Sequence, residues 1–295
     1  MTARGFVEIF EVGPRDGLQN ESRMIPAAEK VALIDLLSQA GFRRIEVASF
    51  VSPKWVPQMA TSAEVLGQIT RAPGLRYAAL APNMRGLEDA LAARADEVAV
   101  FGSASEGFSR ANLNCSVEES LARFTPVIAR AQEAGLPVRG YISCVTDCPF
   151  DGPTLPDAVA RLAARLSDMG CYEISLGDTI GRGTPESIAA MLRAVLDEVP
   201  PEMLAGHYHD TGGRALANIE VSLEHGLRVF DAAIGGLGGC PYAPGASGNV
   251  ATETVHEWLT AMGWQTGLDR AVLAQARSMA QGMRQGGQDV SDTDS

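Results

Sequence analysis

Leu204-Ala205-Gly206-His207-Tyr208-His209-Asp210-Thr211-Gly212-Gly213 carries two of the chain's four histidines at alternate positions. An apolar run enters this stretch and a polar, glycine-containing run leaves it, which is the pattern of a β-strand ending in a loop. Residues i and i+2 of a strand point to one face, so His207 and His209 project together. Imidazole is a common metal ligand. The alternative is two polar residues at a strand end with unrelated partners, and the spacing alone leaves both open.

Working outward, short β-type runs recur at residues 7–12, 44–49, 76–81, 97–101, 138–143, 173–176, 204–209 and 229–234. Amphipathic stretches of helical spacing lie between them at 27–40, 117–134, 156–169, 185–199 and 214–225. These stop at Gly41, Gly135, Gly170, Pro200 and Gly226, as helix C-termini commonly do. About eight βα units in about 280 residues match the rhythm of an α/β fold of the (β/α)8 TIM-barrel type, whose active site lies at the C-terminal ends of the strands. Several strands are nearly all apolar, as parallel strands covered on both faces are. An open doubly wound sheet is the alternative, although no Gly-x-Gly-x-x-Gly opens a helix after the first strand. A single catalytic domain with a C-terminal helical extension is expected over residues 1–285. A polar tail, 286–295, is expected to be disordered.

The 295 residues are 46% hydrophobic and 20% charged, a globular composition. No apolar run approaches the roughly 18 residues of a membrane span. The first residues lead almost directly into the first strand with no signal-like segment, so a cytoplasmic, non-membrane protein is expected. A net charge of −12 argues against nucleic acid as a partner; an anionic small molecule needs only a local positive site. The five cysteines, an odd number, point to reduced thiols.

On a barrel, the polar residues at strand ends converge on one mouth. Gly13-Pro14-Arg15-Asp16-Gly17 follows the first strand, and Glu46 lies in the second. Asp178 follows the sixth, His207 and His209 end the seventh, and Gly235-Gly236-Leu237-Gly238-Gly239-Cys240-Pro241 follows the eighth. Each has a plainer role open to it: Arg15-Asp16 as an exposed turn, Asp178 as a helix cap, the glycine run as a flexible loop. Glu46, flanked by Ile45 and Val47, faces opposite to them. A carboxylate inside a barrel is costly unless paired, and Arg15 is a partner for it.

Residues 11–21, Glu-Val-Gly-Pro-Arg-Asp-Gly-Leu-Gln-Asn-Glu, resemble the N-terminal signature of the 3-hydroxy-3-methylglutaryl-CoA lyase family. Residues 49–59, Ser-Phe-Val-Ser-Pro-Lys-Trp-Val-Pro-Gln-Met, resemble the segment after that family's second strand. Gly236-Leu237-Gly238-Gly239-Cys240-Pro241-Tyr242-Ala243 with 245–249, Gly-Ala-Ser-Gly-Asn, resembles its cysteine-bearing loop. The likeness runs from about residue 7 to about residue 267. It implies Mg²⁺ or Mn²⁺ held by Asp16, His207, His209 and Asn249, an electrophilic Arg15, a catalytic thiol at Cys240, and active-site carboxylates at Asp16, Glu46 and Asp178. It further implies an acyl-CoA substrate, a homodimer, and cleavage of 3-hydroxy-3-methylglutaryl-CoA to acetyl-CoA and acetoacetate. A same-mechanism lyase for a longer branched 3-hydroxyglutaryl-CoA or for citramalyl-CoA is the alternative. The chain departs from the family at Ser22, where many relatives are basic, at Tyr208, where Cys is frequent, and at Gly212, where Tyr is common. Tyr208 is expected to point away from the histidines, and Gly212 to widen the mouth.

Overall fold

Each apolar run forms a strand: Glu8–Glu11, Arg44–Ser49, Arg76–Leu80, Glu97–Ser103, Val138–Ser143, Glu173–Asp178, Leu204–Tyr208 and Val229–Ala232. The structure, a computed structural model, describes residues 4–240 and 243–285; the side chains of 239–240, 243–247 and 285 lie outside that description. The eight strands close into one parallel barrel in sequence order. The seam joins the first strand to the eighth over four residue pairs, from Glu8↔Val229 to Glu11↔Ala232, and to the second through Glu11↔Ile45. Closure removes the open-sheet alternative and leaves no strand edge.

Helices cover the outside. The five anticipated from periodicity appear as α1 (Ala27–Leu37), α5 (Val117–Glu133), α6 (Pro156–Asp168), α7 (Pro185–Leu196) and α8 (Ala215–Glu224). Their starts are chemically set: Ser116 and Glu119 form a capping box on α5, and Thr184 caps α7 with Pro185 just inside it. The short helices α2 (Ser62–Gln68), α3 (Met84–Ala92), α4 (Glu106–Leu113) and α9 (Thr252–Ala261) complete the ring, and α10 (Arg270–Gln285) follows. Leu33, Ile34 and Leu37 of α1, and Val159, Leu162 and Leu166 of α6, are buried in the layer between helices and barrel.

The strands are less uniformly apolar inside than their sequences suggest. Arg44, Glu97, Arg139, Glu173 and Asp231 are all buried. Arg139 joins Glu173 at 2.7 Å and Asp231 at 2.8 Å, Arg44 joins the same Glu173 at 2.8 Å, and both guanidinium groups lie over the Phe10 ring. Such a network specifies more than it stabilises: each charge is paired, and removing one partner strands another at a cost of roughly 3–5 kcal/mol.

Candidate active site

The loop after the first strand is a tight π-type turn, Gly13–Gly17, with the Asp16 N–H donating to the Val12 carbonyl at 2.8 Å. The turn aims Arg15 and Asp16 together into the mouth. Arg15 Nε donates to Glu46 Oε2 at 2.6 Å, and Arg15 Nη1 to Asp16 Oδ1 at 2.8 Å. The pairing expected between Arg15 and Glu46 is thus present, and it is buried. Tyr141, which the sequence did not single out, donates its hydroxyl to Glu46 Oε2 at 3.3 Å, and its ring lies 5.6 Å from the Arg15 guanidinium.

The second oxygen of Asp16 accepts from Asn249 Nδ2 at 2.8 Å and lies 4.0 Å from His207 Nε2. Asp16, His207 and His209 each offer a ligand atom within 4.8 Å of the others. Asn249 arrives because its backbone bridges His209 as a short antiparallel pair. Its amide nitrogen is occupied by Asp16 and by the Leu237 carbonyl, so its oxygen is the atom left to meet a cation. The loops after the first and eighth strands touch through glycine: a Cβ on Gly17 would meet Leu237 Cβ at 2.6 Å. A side chain there would force apart the loops that carry Asp16 and Asn249.

Electrostatics divides the cluster. Burial favours a neutral Asp16, but the Arg15 charge and the two imidazoles outweigh it and hold Asp16 below the usual carboxylate range. Burial and the neighbouring His207 push His209 down to about 4, so its ring is neutral at any working pH, the form in which an imidazole can meet a metal. Its Nδ1 is buried with no hydrogen-bond partner among the described residues. An orphaned imidazole nitrogen beside a carboxylate and a second imidazole fits a metal-ligand set, and the O/N mixture suits a divalent ion with open positions rather than a closed thiolate site. Burial pushes Glu46 up, with Arg15 pulling against it.

Asp178 stands apart. It is buried and accepts from Thr146 Oγ1 at 3.0 Å, Gly183 N–H at 2.8 Å and Arg182 N–H at 3.2 Å, which braces its own loop. None of its side-chain hydrogen bonds reaches Asp16 or the histidines; its backbone carbonyl accepts from the His209 N–H at 3.4 Å. Burial leads the causes that raise its pKa. The backbone of Cys240 lies in a two-residue strand, Gly239–Cys240, paired antiparallel with Ala243–Ser247; its side chain lies outside the described residues. Tyr208 points outward as expected, its hydroxyl 2.8 Å from Ser222 Oγ on α8. A Cβ on Gly212 would meet Arg214 Nη2 and the Gly181 carbonyl oxygen at 2.8 Å, and Arg214 Nε donates to the Gly183 carbonyl.

Closed parallel strands, a carboxylate–imidazole cluster and a carboxylate-clamped arginine at the strand C-termini define an α/β-barrel enzyme. The HMGL-like family model matches residues 6–280. A curated 3-hydroxy-3-isohexenylglutaryl-CoA/hydroxy-methylglutaryl-CoA lyase of Pseudomonas aeruginosa is 57% identical over 270 residues, 92% of this chain and 90% of its own. A Rattus norvegicus 3-hydroxy-3-methylglutaryl-CoA lyase named cytoplasmic is 56% identical over 264 residues, 90% of this chain and 77% of its own. Among solved structures, the HMG-CoA lyase of Brucella melitensis superposes with a TM-score of 0.95 at 61% identity, covering 95% of this chain and 99% of that one. The chain belongs to the HMG-CoA lyase family and is a lyase.

Proposed function

We propose that this chain cleaves the C2–C3 bond of 3-hydroxy-3-methylglutaryl-CoA to acetyl-CoA and acetoacetate, with Mg²⁺ or Mn²⁺ held by Asp16, His207, His209 and Asn249. The observation that carries this reading is the juxtaposition of Arg15 with the Asp16–His207–His209 cluster. Metal storage needs no arginine fixed by two carboxylates; an enolate-forming cleavage does.

When bound, the cation would acidify the tertiary C3 hydroxyl and fix the substrate. Asp16 takes up the hydroxyl proton. The C2–C3 electron pair passes into the thioester, and the C3–O group becomes the ketone of acetoacetate. Arg15, held by Glu46 and Asp16, faces the thioester oxygen where charge develops. Cys240 gives a proton to the enolate carbon of acetyl-CoA; an unperturbed thiol pKa of about 8.5 suits that task with modest tuning. One proton leaves the hydroxyl and one enters at C2, so the reaction balances. Asp178 keeps the loop after the sixth strand in place for substrate. The protein works as a cytoplasmic homodimer on a soluble acyl-CoA. No helix among the described residues is long and apolar enough to cross a membrane.

A longer C3 branch is a second reading, favoured by the isohexenylglutaryl-CoA in the name of the Pseudomonas aeruginosa relative. The test is a panel of 3-hydroxyacyl-CoA thioesters assayed for acetyl-CoA release with Mg²⁺, with Mn²⁺ and with chelator. Metal-dependent formation of acetoacetate from 3-hydroxy-3-methylglutaryl-CoA is expected. No turnover of that thioester beside rapid turnover of a longer one would promote the second reading.

A further inference from the structure

Asp231 sits in the middle of the eighth strand between Phe230 and Ala232, and the parallel register sets it directly beside His207 of the seventh. Its carboxylate is saturated. Oδ1 accepts from Arg139 Nη2 at 2.8 Å; Oδ2 accepts from Arg139 Nη1 at 3.0 Å and from Ser175 Oγ at 2.8 Å, and lies 3.1 Å from His207 Nδ1. Asp231 and Arg139 are both buried, and Arg139 is itself anchored by Glu173, which Arg44 grips from the other side. An ionised carboxylate only accepts hydrogen bonds. His207 Nδ1 must therefore be the donor, and in the neutral ring the lone pair then lies on Nε2, the nitrogen 4.0 Å from Asp16 Oδ2.

His209 has no such support, since its Nδ1 has no partner among the described residues. The two histidines of one strand end are thus held differently: one is locked from behind through a chain of buried charges and the other is not. We propose that Asp231, clamped by Arg139, is a positioning residue that keeps the His207 proton on Nδ1 and presents Nε2 to the cation shared with Asp16 and His209. This rests on the metal reading of the site. Outer carboxylates that fix a metal-binding imidazole typically govern about 10–100-fold in metal affinity.

The Asp231→Asn variant separates the carboxylate's charge from its shape. Arg139 donates to both carboxylate oxygens, and Oδ2 also accepts from Ser175 and faces His207. Either orientation of the amide therefore sets its NH2 against a donor and removes the negative charge that holds the His207 proton on Nδ1. Without that charge the proton is free to occupy Nε2, the face meant for the cation. Two measurements on metal-free protein test this. Nitrogen NMR of the wild-type imidazole, at a pH where the ring is neutral, is expected to show the Nδ1–H tautomer for His207. Mn²⁺ titration followed by electron paramagnetic resonance is expected to show binding about 10–100-fold weaker in Asp231→Asn. Ser175→Ala, which removes another donor to the same carboxylate but leaves His207 bonded, should stay within about threefold of wild type.

A folded Asp231→Asn protein that binds Mn²⁺ as wild type does, or a wild-type His207 protonated on Nε2, overturns the inference. The wild-type tautomer decides the matter if the variant does not fold. A wild-type protein that binds no Mn²⁺ overturns the proposed function, and this inference with it. Wild-type binding with an unaffected variant overturns this inference alone.

Discussion

At the scale of single residues, the site is a contest between burial and charge. Arg15 is buried yet keeps its charge because Glu46 and Asp16 flank it. Its guanidinium is fixed before substrate arrives, which is what gives an oxyanion donor its value. Arg15→Gln keeps a hydrogen-bonding group but deletes the charge. By analogy with other oxyanion donors, kcat should fall by at least about 10²–10³, with a smaller change in KM. Near-normal kcat with a raised KM would make Arg15 a binding residue only. Cys240→Ser tests the proposed proton carrier. A hydroxyl of nearly the same shape has a pKa far above neutrality, so kcat should fall by about 10²–10⁴ while Mn²⁺ affinity is kept. Retention of most of kcat would leave Asp16 as the acid–base group.

At the scale of elements, strand and loop positions were largely legible because closure of a barrel leaves little freedom in how apolar runs alternate with helices. The short helices α2, α3, α4 and α9 were not; α2 spans only seven residues, about two turns, too few to display a 3.6-residue period. Glu46 was legible as an interior carboxylate because its neighbours are apolar. Asp231 stands in the same pattern, but its partners Arg139 and His207 lie 92 and 24 residues away, and no local signal pairs them. Glu11 was likewise missed as a clasp. Its Oε1 accepts from the Gly13 and Ile234 N–H groups and its Oε2 from Thr252 Oγ1, tying the loops after the first and eighth strands to the start of α9. Burial, opposed by those three bonds, raises its pKa to about 7. A carboxyl raised on folding contributes stability that is fully present below the unfolded value, 4.5, and lost as pH climbs through about 7. Glu11→Gln can keep all three contacts without ionising. Urea unfolding from pH 4.5 to 7.5 should therefore show wild type losing stability relative to Glu11→Gln as pH rises; parallel curves would show that Glu11 does not titrate in that window.

At the scale of the whole molecule, the proposed cation site spans the barrel seam. Its ligands come from the loop after the first strand, from the end of the seventh strand and the residue just past it, and from the segment after the eighth, and the first strand meets the second through one residue pair only. A ligand that binds the folded chain and not the unfolded one stabilises it by mass action, by about 2.7 kcal/mol at a hundred times Kd. For a chain of this size, roughly 2–4 °C per kcal/mol gives a rise in Tm of about 5–10 °C with saturating Mn²⁺. His209 makes this test specific. In chelator its buried Nδ1 makes no hydrogen bond among the described residues, and its ring is neutral at any pH well above about 4. Truncating it removes an unsatisfied polar atom along with some packing, and the two effects oppose each other. His209→Ala should therefore melt close to wild type in chelator, yet gain little or nothing from Mn²⁺. The two proteins should separate only when the metal is added, whatever substrate the enzyme prefers. An equal Mn²⁺-induced rise in both would place the cation elsewhere and remove His209 from the ligand set.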